Sequence, residues 1–136
     1  MAQYRNTSNQ NIPAIPSAVQ VNFTSTIVGG QPLTVDTSGV YGFSYHINGS
    51  QTLGFIPAEM VTELTVTDPS GITSALNWTR GYDTITVDEH GSVGNAGEVQ
   101  LGAGDTVGVH AYMNAVGSGQ AYQTDRFLCN LTLRKL

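Results

Sequence analysis

Among its 136 residues the chain has a single cysteine, a single tryptophan and one lysine, Lys135, and only 11% of its residues are charged. With Cys129 alone, no intramolecular disulfide can form, so packing must hold the fold. Arg5, Arg80, Arg126 and Arg134 are scattered, and ten carboxylates against five cations leave a formal charge of -5. Such a chain offers no basic patch to nucleic acid or to an anionic membrane. The stretch Met1 to Ser8 has no apolar run, so no ordinary signal peptide is expected, and no later segment is long enough for membrane insertion.

Catalytic signatures are scarce as well. Neither Gly-X-Ser-X-Gly nor His-Glu-X-X-His occurs, and no acid pair stands out, so an enzyme is not expected. Gly102-Ala103-Gly104-Asp105 lacks the third glycine of a nucleotide fingerprint and runs into a β pattern; Asp105 is expected to hydrogen-bond its own turn. Cys129 with His46 or His110 would make a nucleophile and base, but Cys129 alternates with Phe127 and Leu131, which buries it as a small hydrophobe. Asp83, Asp88 and Glu89, beside His90, are the candidates for a hard cation such as calcium. A solvated hairpin tip accounts for them without an ion, and no cofactor or metal is expected.

What the chain has in plenty is glycine, small hydroxyl and amide residues, and alternation. In Gly39 to Asn48, the residues Tyr41, Phe43, Tyr45 and Ile47 share one face of an extended chain, and Val40, Gly42, Ser44 and His46 share the other. A large face suits a sandwich core; a small one lets another backbone come close. The same period runs through Val19, Val21 and Phe23, through Thr62, Leu64 and Val66, through Val107, Val109, Ala111 and Met113, and through Phe127, Cys129, Leu131 and Leu133. Asp68-Pro69-Ser70-Gly71 reads as a type I turn, and Asn48-Gly49-Ser50 and the residues before Gly91 as further turns. Leu53 to Met60 is less legible, with Pro57-Ala58-Glu59 able to open one helical turn. Trp78 shares a face with Leu76 and is expected in the core.

One domain preceded by an arm follows. Residues 1-17 read as an extended N-terminal arm, in which Tyr4, Ile12, Pro13, Ile15 and Pro16 are the anchoring residues, and residues 18-136 as an antiparallel β-sandwich of jelly-roll type. Either the arm is a free leader or it docks on a neighbouring subunit or a larger surface. His46, His110 and Tyr112 lie on the slight sides of their strands beside Gly42, Ser44 and Gly108, so with Asn130 they form the expected interface around a symmetry axis.

Three segments carry a resemblance. Ser38 to Ile47 looks like the Gly-Val-Tyr-X-Phe-X-Tyr strand of the complement C1q-type globular heads, Gly97 to Val107 like their Leu-X-X-Gly-Asp-X-Val turn, and Asp125 to Leu133 like their closing Phe-Ser-Gly-Phe-Leu-Leu. The chain thus resembles the C1q-type heads and, more distantly, the tumour necrosis factor (TNF) superfamily. That resemblance implies a jelly roll assembling as a homotrimer, with one sheet of each subunit lining the axis. Leu128-Cys129-Asn130 departs from the small Ser-Gly pair of the closing strand, and residues 1-17 hold no Gly-X-Y repeat. Two functions remain open on this reading, the first of them the expected one. One is a structural virion protein of a bacteriophage, a capsid decoration or fibre knob whose arm anchors it to a capsid or fibre protein on the virion surface. The other is a soluble or secreted, extracellular binding module that takes a glycan or protein receptor through its loops.

Overall fold

The computed structural model describes residues 2-12, 18-21, 23-25, 33-53, 58-85, 90-114, 121-124 and 129-136. Its strands are β1 (Ala2–Arg5), β2 (Asn11–Ile12), β3 (Val19–Gln20), β4 (Thr24–Ser25), β5 (Gly39–Leu53), β6 (Ala58–Thr67), β7 (Thr73–Ile85), β8 (His90–Leu101), β9 (Thr106–Asn114), β10 (Ala121–Thr124) and β11 (Asn130–Lys135). All pairings are antiparallel. They form two sheets, one of seven strands built on β5 and one of four in the order β3-β9-β6-β7. Among the described residues there is no helix. The protein is an all-β jelly-roll sandwich.

β5 is the spine. Along one side it pairs with β8 from Gly39 to Ser50; along the other it takes β11 opposite Tyr41 to His46 and β10 opposite Gly49 to Leu53. The alternation read in the sequence decides its faces: Tyr41, Phe43, Tyr45 and Ile47 are buried, while Ser44 and His46 are exposed. Across the sandwich, Val107, Val109, Ala111 and Met113 of β9 close over them, with Cys129, Leu131 and Leu133 alongside. The cysteine is wholly buried, as its apolar neighbours require. Tyr45 ties the sheets together, its hydroxyl donating to the Thr79 carbonyl at 2.8 Å and lying 3.0 Å from Thr62 Oγ1.

Both polar turns behave as read. Gly71 N donates to Asp68 O at 2.9 Å with Gly71 at φ +91°, and the Asp68 carboxylate accepts from the backbone of Ser70 and Ile72. Asp105 Oδ2 accepts from Gly102 N at 2.8 Å.

Several expectations need correction. The first residues are not an arm apart from the domain: β1 pairs with both β11 and β4, β2 pairs with β10, and Tyr4 and Ile12 are buried in the core. Their apolar side chains are buried within the sandwich itself. Asn48-Gly49-Ser50 is no turn, because β5 runs straight through it. Gly91 lies inside β8, paired with Gly49, while Asp88 and Glu89 of the turn expected before it lie outside the described residues; Ala58-Glu59 begin a strand instead of a helical turn. Pro13, Ile15 and Pro16 lie outside the described residues.

Candidate functional site

The residues expected at the interface fall on the outward faces of two different sheets. The outward face of the seven-stranded sheet presents Gly42, Ser44 and His46 of β5, with Asn130 opposite His46, Thr132 opposite Ser44 and Arg134 opposite Gly42 on β11. On the other flank stand Gly94, Ala96 and Glu98 of β8. Gly42, Ser44, Gly94 and Ala96 keep the middle of this face low enough for another backbone to approach, with the charged Arg134 and Glu98 flanking Gly42. Among the described residues none crowds the space over Gly42: a Cβ there would meet the Leu136 side chain at 3.6 Å and the Arg134 carbonyl oxygen at 3.8 Å, both ordinary contacts.

Gly108, His110 and Tyr112 stand elsewhere. They project from β9, on the outward face of the four-stranded sheet, at the opposite side of the sandwich from His46. One flat interface therefore cannot hold both histidines. Each of the three also has an internal explanation. A Cβ on Gly108 would lie 2.8 Å from Gln20 Oε1 and 3.1 Å from Thr65 Oγ1, so the glycine makes room for the bond from Thr65 to Gln20. His110 is engaged with Glu63 at 2.9 Å and meets the Tyr112 ring edge-on at 6.5 Å.

Glu63 is a residue the sequence reading missed. It sits in register with His110, is 3% exposed, and its other oxygen accepts from Arg80 Nη2 at 2.9 Å. Because a carboxylate only accepts, a neutral His110 must donate its Nε2 hydrogen there. Burial pushes the Glu63 pKa up, but the hydrogen bonds from His110 and Arg80 and the Arg80 charge outweigh it, leaving the carboxyl below its ordinary 4.5. A depressed carboxyl contributes stability above 4.5 and loses it as pH falls through the folded value. Glu63→Gln is therefore expected to cost about 1–2 kcal/mol at neutral pH. It should also flatten the loss of melting temperature on acidification; parallel acid profiles for the variant and the parent would reject this account. The only sequence signal was a lone acid inside an alternating strand.

At the edge where β7 and β8 bring the sheets together, a Cβ on Gly81 would lie 2.8 Å from the Gly94 carbonyl. Trp78 lies on this edge and is 59% exposed, not in the core. The reason is a shift of register between Thr62 and Leu64 of β6, which lets Thr79 turn inward, fully buried, and bond Leu64 N and the Leu76 carbonyl. Trp78 is left to lie over the edge, its ring 5.9 Å from that of Phe43 at 62°. Next to it a groove of about 350 Å³ is lined by Val66, Ile72, Leu76 and Val99 together with the polar Asp68, Ser74, Gln100 and Asp105.

Of the cation candidates, Asp83 stands on β7 opposite Met60, and Asp88 and Glu89 lie outside the described residues. Among the described residues no three His, Cys, Asp or Glu side chains come together.

No family model matches the chain, and no curated protein matches it by sequence. Solved structures do. A TNF from S. frugiperda, Eiger, superposes with a TM-score of 0.68 at 16% identity, covering 99% of this chain and 90% of that one. Murine APRIL gives 0.59 at 15% identity, over 99% and 97%. The globular domain of zebrafish complement 1qA gives 0.58 at 12%, over 99% and 95%. Flat small-residue face, long central strand and two-sheet order thus belong to a chain whose fold is the jelly roll of TNF and C1q globular domains.

Proposed function

We propose that this chain is a non-enzymatic β head that associates as a homotrimer and acts as an extracellular binding module. The observation that carries the association is Trp78. A solitary domain rarely leaves its one indole 59% exposed beside Ile72 at 65% along one groove, whereas an interface fills such an edge. The surface it would meet on a neighbouring copy is the flat one around Gly42, Ser44, His46 and Asn130. Gly108, His110 and Tyr112 drop out of that interface.

The trimeric virion protein, a decoration or fibre knob, is the other reading of the same head. Its motivation was an anchoring arm, and with Tyr4 and Ile12 committed to the core only Pro13, Ile15 and Pro16 remain to serve as one. The binding module is therefore preferred.

Light scattering decides the association. Wild type at micromolar concentration is expected at three times the mass of one chain. Trp78→Ser should shift it toward monomer, at about tenfold weaker association or more, with a folded far-UV spectrum. A monomeric wild type, or a Trp78→Ser protein that remains trimeric at the same dilution, would end the proposal.

A further inference from the structure

Away from both the flat face and the Trp78 edge, the outward side of the four-stranded sheet carries an open cleft of about 340 Å³. Register builds its floor. Thr65 stands beside Gly108, and Thr67 stands between Thr73 of β7 and Thr106 of β9. Phe23 and Leu33 form an apolar wall, and Gln20 reaches in from β3.

The hydroxyls are held in place by one another and by the Gln20 amide. Thr67 and Thr73 are linked at 2.7 Å, Thr65 donates to Gln20 Oε1 at 3.2 Å, and Thr106 meets Thr34 at 3.3 Å. A hydroxyl has one hydrogen and two lone pairs, so each threonine keeps hydrogen-bonding capacity after these contacts. None of the lining residues is charged. A carboxylate, phosphate or ammonium entering the cleft would give up hydration without meeting a counter-charge. A neutral ring that carries hydroxyls on its rim and C–H groups on its face meets the opposite situation: its hydroxyls both donate and accept, and its face lies on Phe23.

We propose that this cleft binds a neutral saccharide, an inference that rests on reading the head as a binding module. The ligand is thereby placed on a sheet face, where the threonine pairs are rigid, and not at the loop tips.

The full chain should be applied to an array of neutral and acidic glycans, with each neutral hit confirmed by saturation-transfer NMR using the free saccharide. Wild type is expected to retain neutral glycans and to leave glucuronate, sialic acid and sulfated sugars unbound. Thr67→Val and Thr106→Val each remove one hydroxyl while keeping a β-branched strand residue. Each should weaken binding about tenfold, the value of one lost hydrogen bond, with melting temperature and mass in solution unchanged. If one variant does not fold, the other decides. An array with no neutral hit, a preference for acidic glycans, or wild-type affinity in the folded variants overturns the inference. Mass in solution keeps the two proposals separate: a trimer that retains no saccharide removes only the cleft, and a monomer that binds one removes only the assembly.

Discussion

Gly49→Ala is expected to cost about 3 kcal/mol or more, a large share of the roughly 5–15 kcal/mol by which a domain of this size is stable. A Cβ at this position would lie 2.2 Å from the Gln123 carbonyl oxygen and 2.6 Å from the Tyr122 ring. Neither obstacle can step aside easily. The carbonyl is backbone in β10, where the register against β5 shifts between Ala121 and Tyr122, and Tyr122 is fully buried. Separating β10 from β5 to admit one methyl would also disturb β2, which hangs on β10 through Ile12 and Asn11. Gly71→Ala provides the control, since φ is +91° there but nothing lies within 4 Å. It should cost only about 1–2 kcal/mol of backbone strain. Urea denaturation of both variants measures the difference, and a Gly49→Ala midpoint at or above that of Gly71→Ala would refute the close-packing account.

Tyr45→Phe is the second large effect, expected at about 2–3 kcal/mol. Removing the hydroxyl leaves the Thr79 carbonyl and the Thr62 hydroxyl without this partner in a region from which water is excluded. The bond also spans the two sheets, so its loss removes a link that ring packing does not replace. Burial holds the phenol above its ordinary 10.0, opposed by the Thr62 hydrogen bond and reinforced by the Glu63 charge. For a group with a raised folded pKa, the stabilisation is complete below 10.0 and disappears as pH climbs through the folded value. Wild type should therefore lose melting temperature above pH 10 faster than Tyr45→Phe does, although the variant starts lower. Tyr4, raised first by burial and then by Asp36, contributes to the residual slope in both proteins. Identical alkaline slopes would show that Tyr45 is not the group responsible.

The sequence allowed a good reading wherever one strand's own geometry decides the outcome. Tyr41 to Ile47, Val107 to Met113 and Leu131 to Leu133 face the core because side chains alternate along any extended chain. Asp68 and Asp105 bond their own turns because their partners lie within a few residues. Glycine was harder to read, since the same residue serves a turn at Gly71, a neighbouring carbonyl at Gly49 and a neighbouring side chain at Gly108. The site was legible only in half: Gly42, Ser44, His46 and Asn130 do share a face, but His110 belongs to another sheet.

By itself, then, the sequence determined the class of structure, which residues of each strand look inward, and where the short hairpin turns. Tertiary structure alone decided that β1 and β2 belong to the sandwich, that Trp78 lies on an edge and that Glu63 is enclosed by Arg80 and His110. Alternation assigns a residue to one side of its own strand. Which sheet that strand enters, and whose backbone passes over it, depends on pairings between residues far apart in the chain, such as Tyr4 with Leu131 and Gly49 with Thr124.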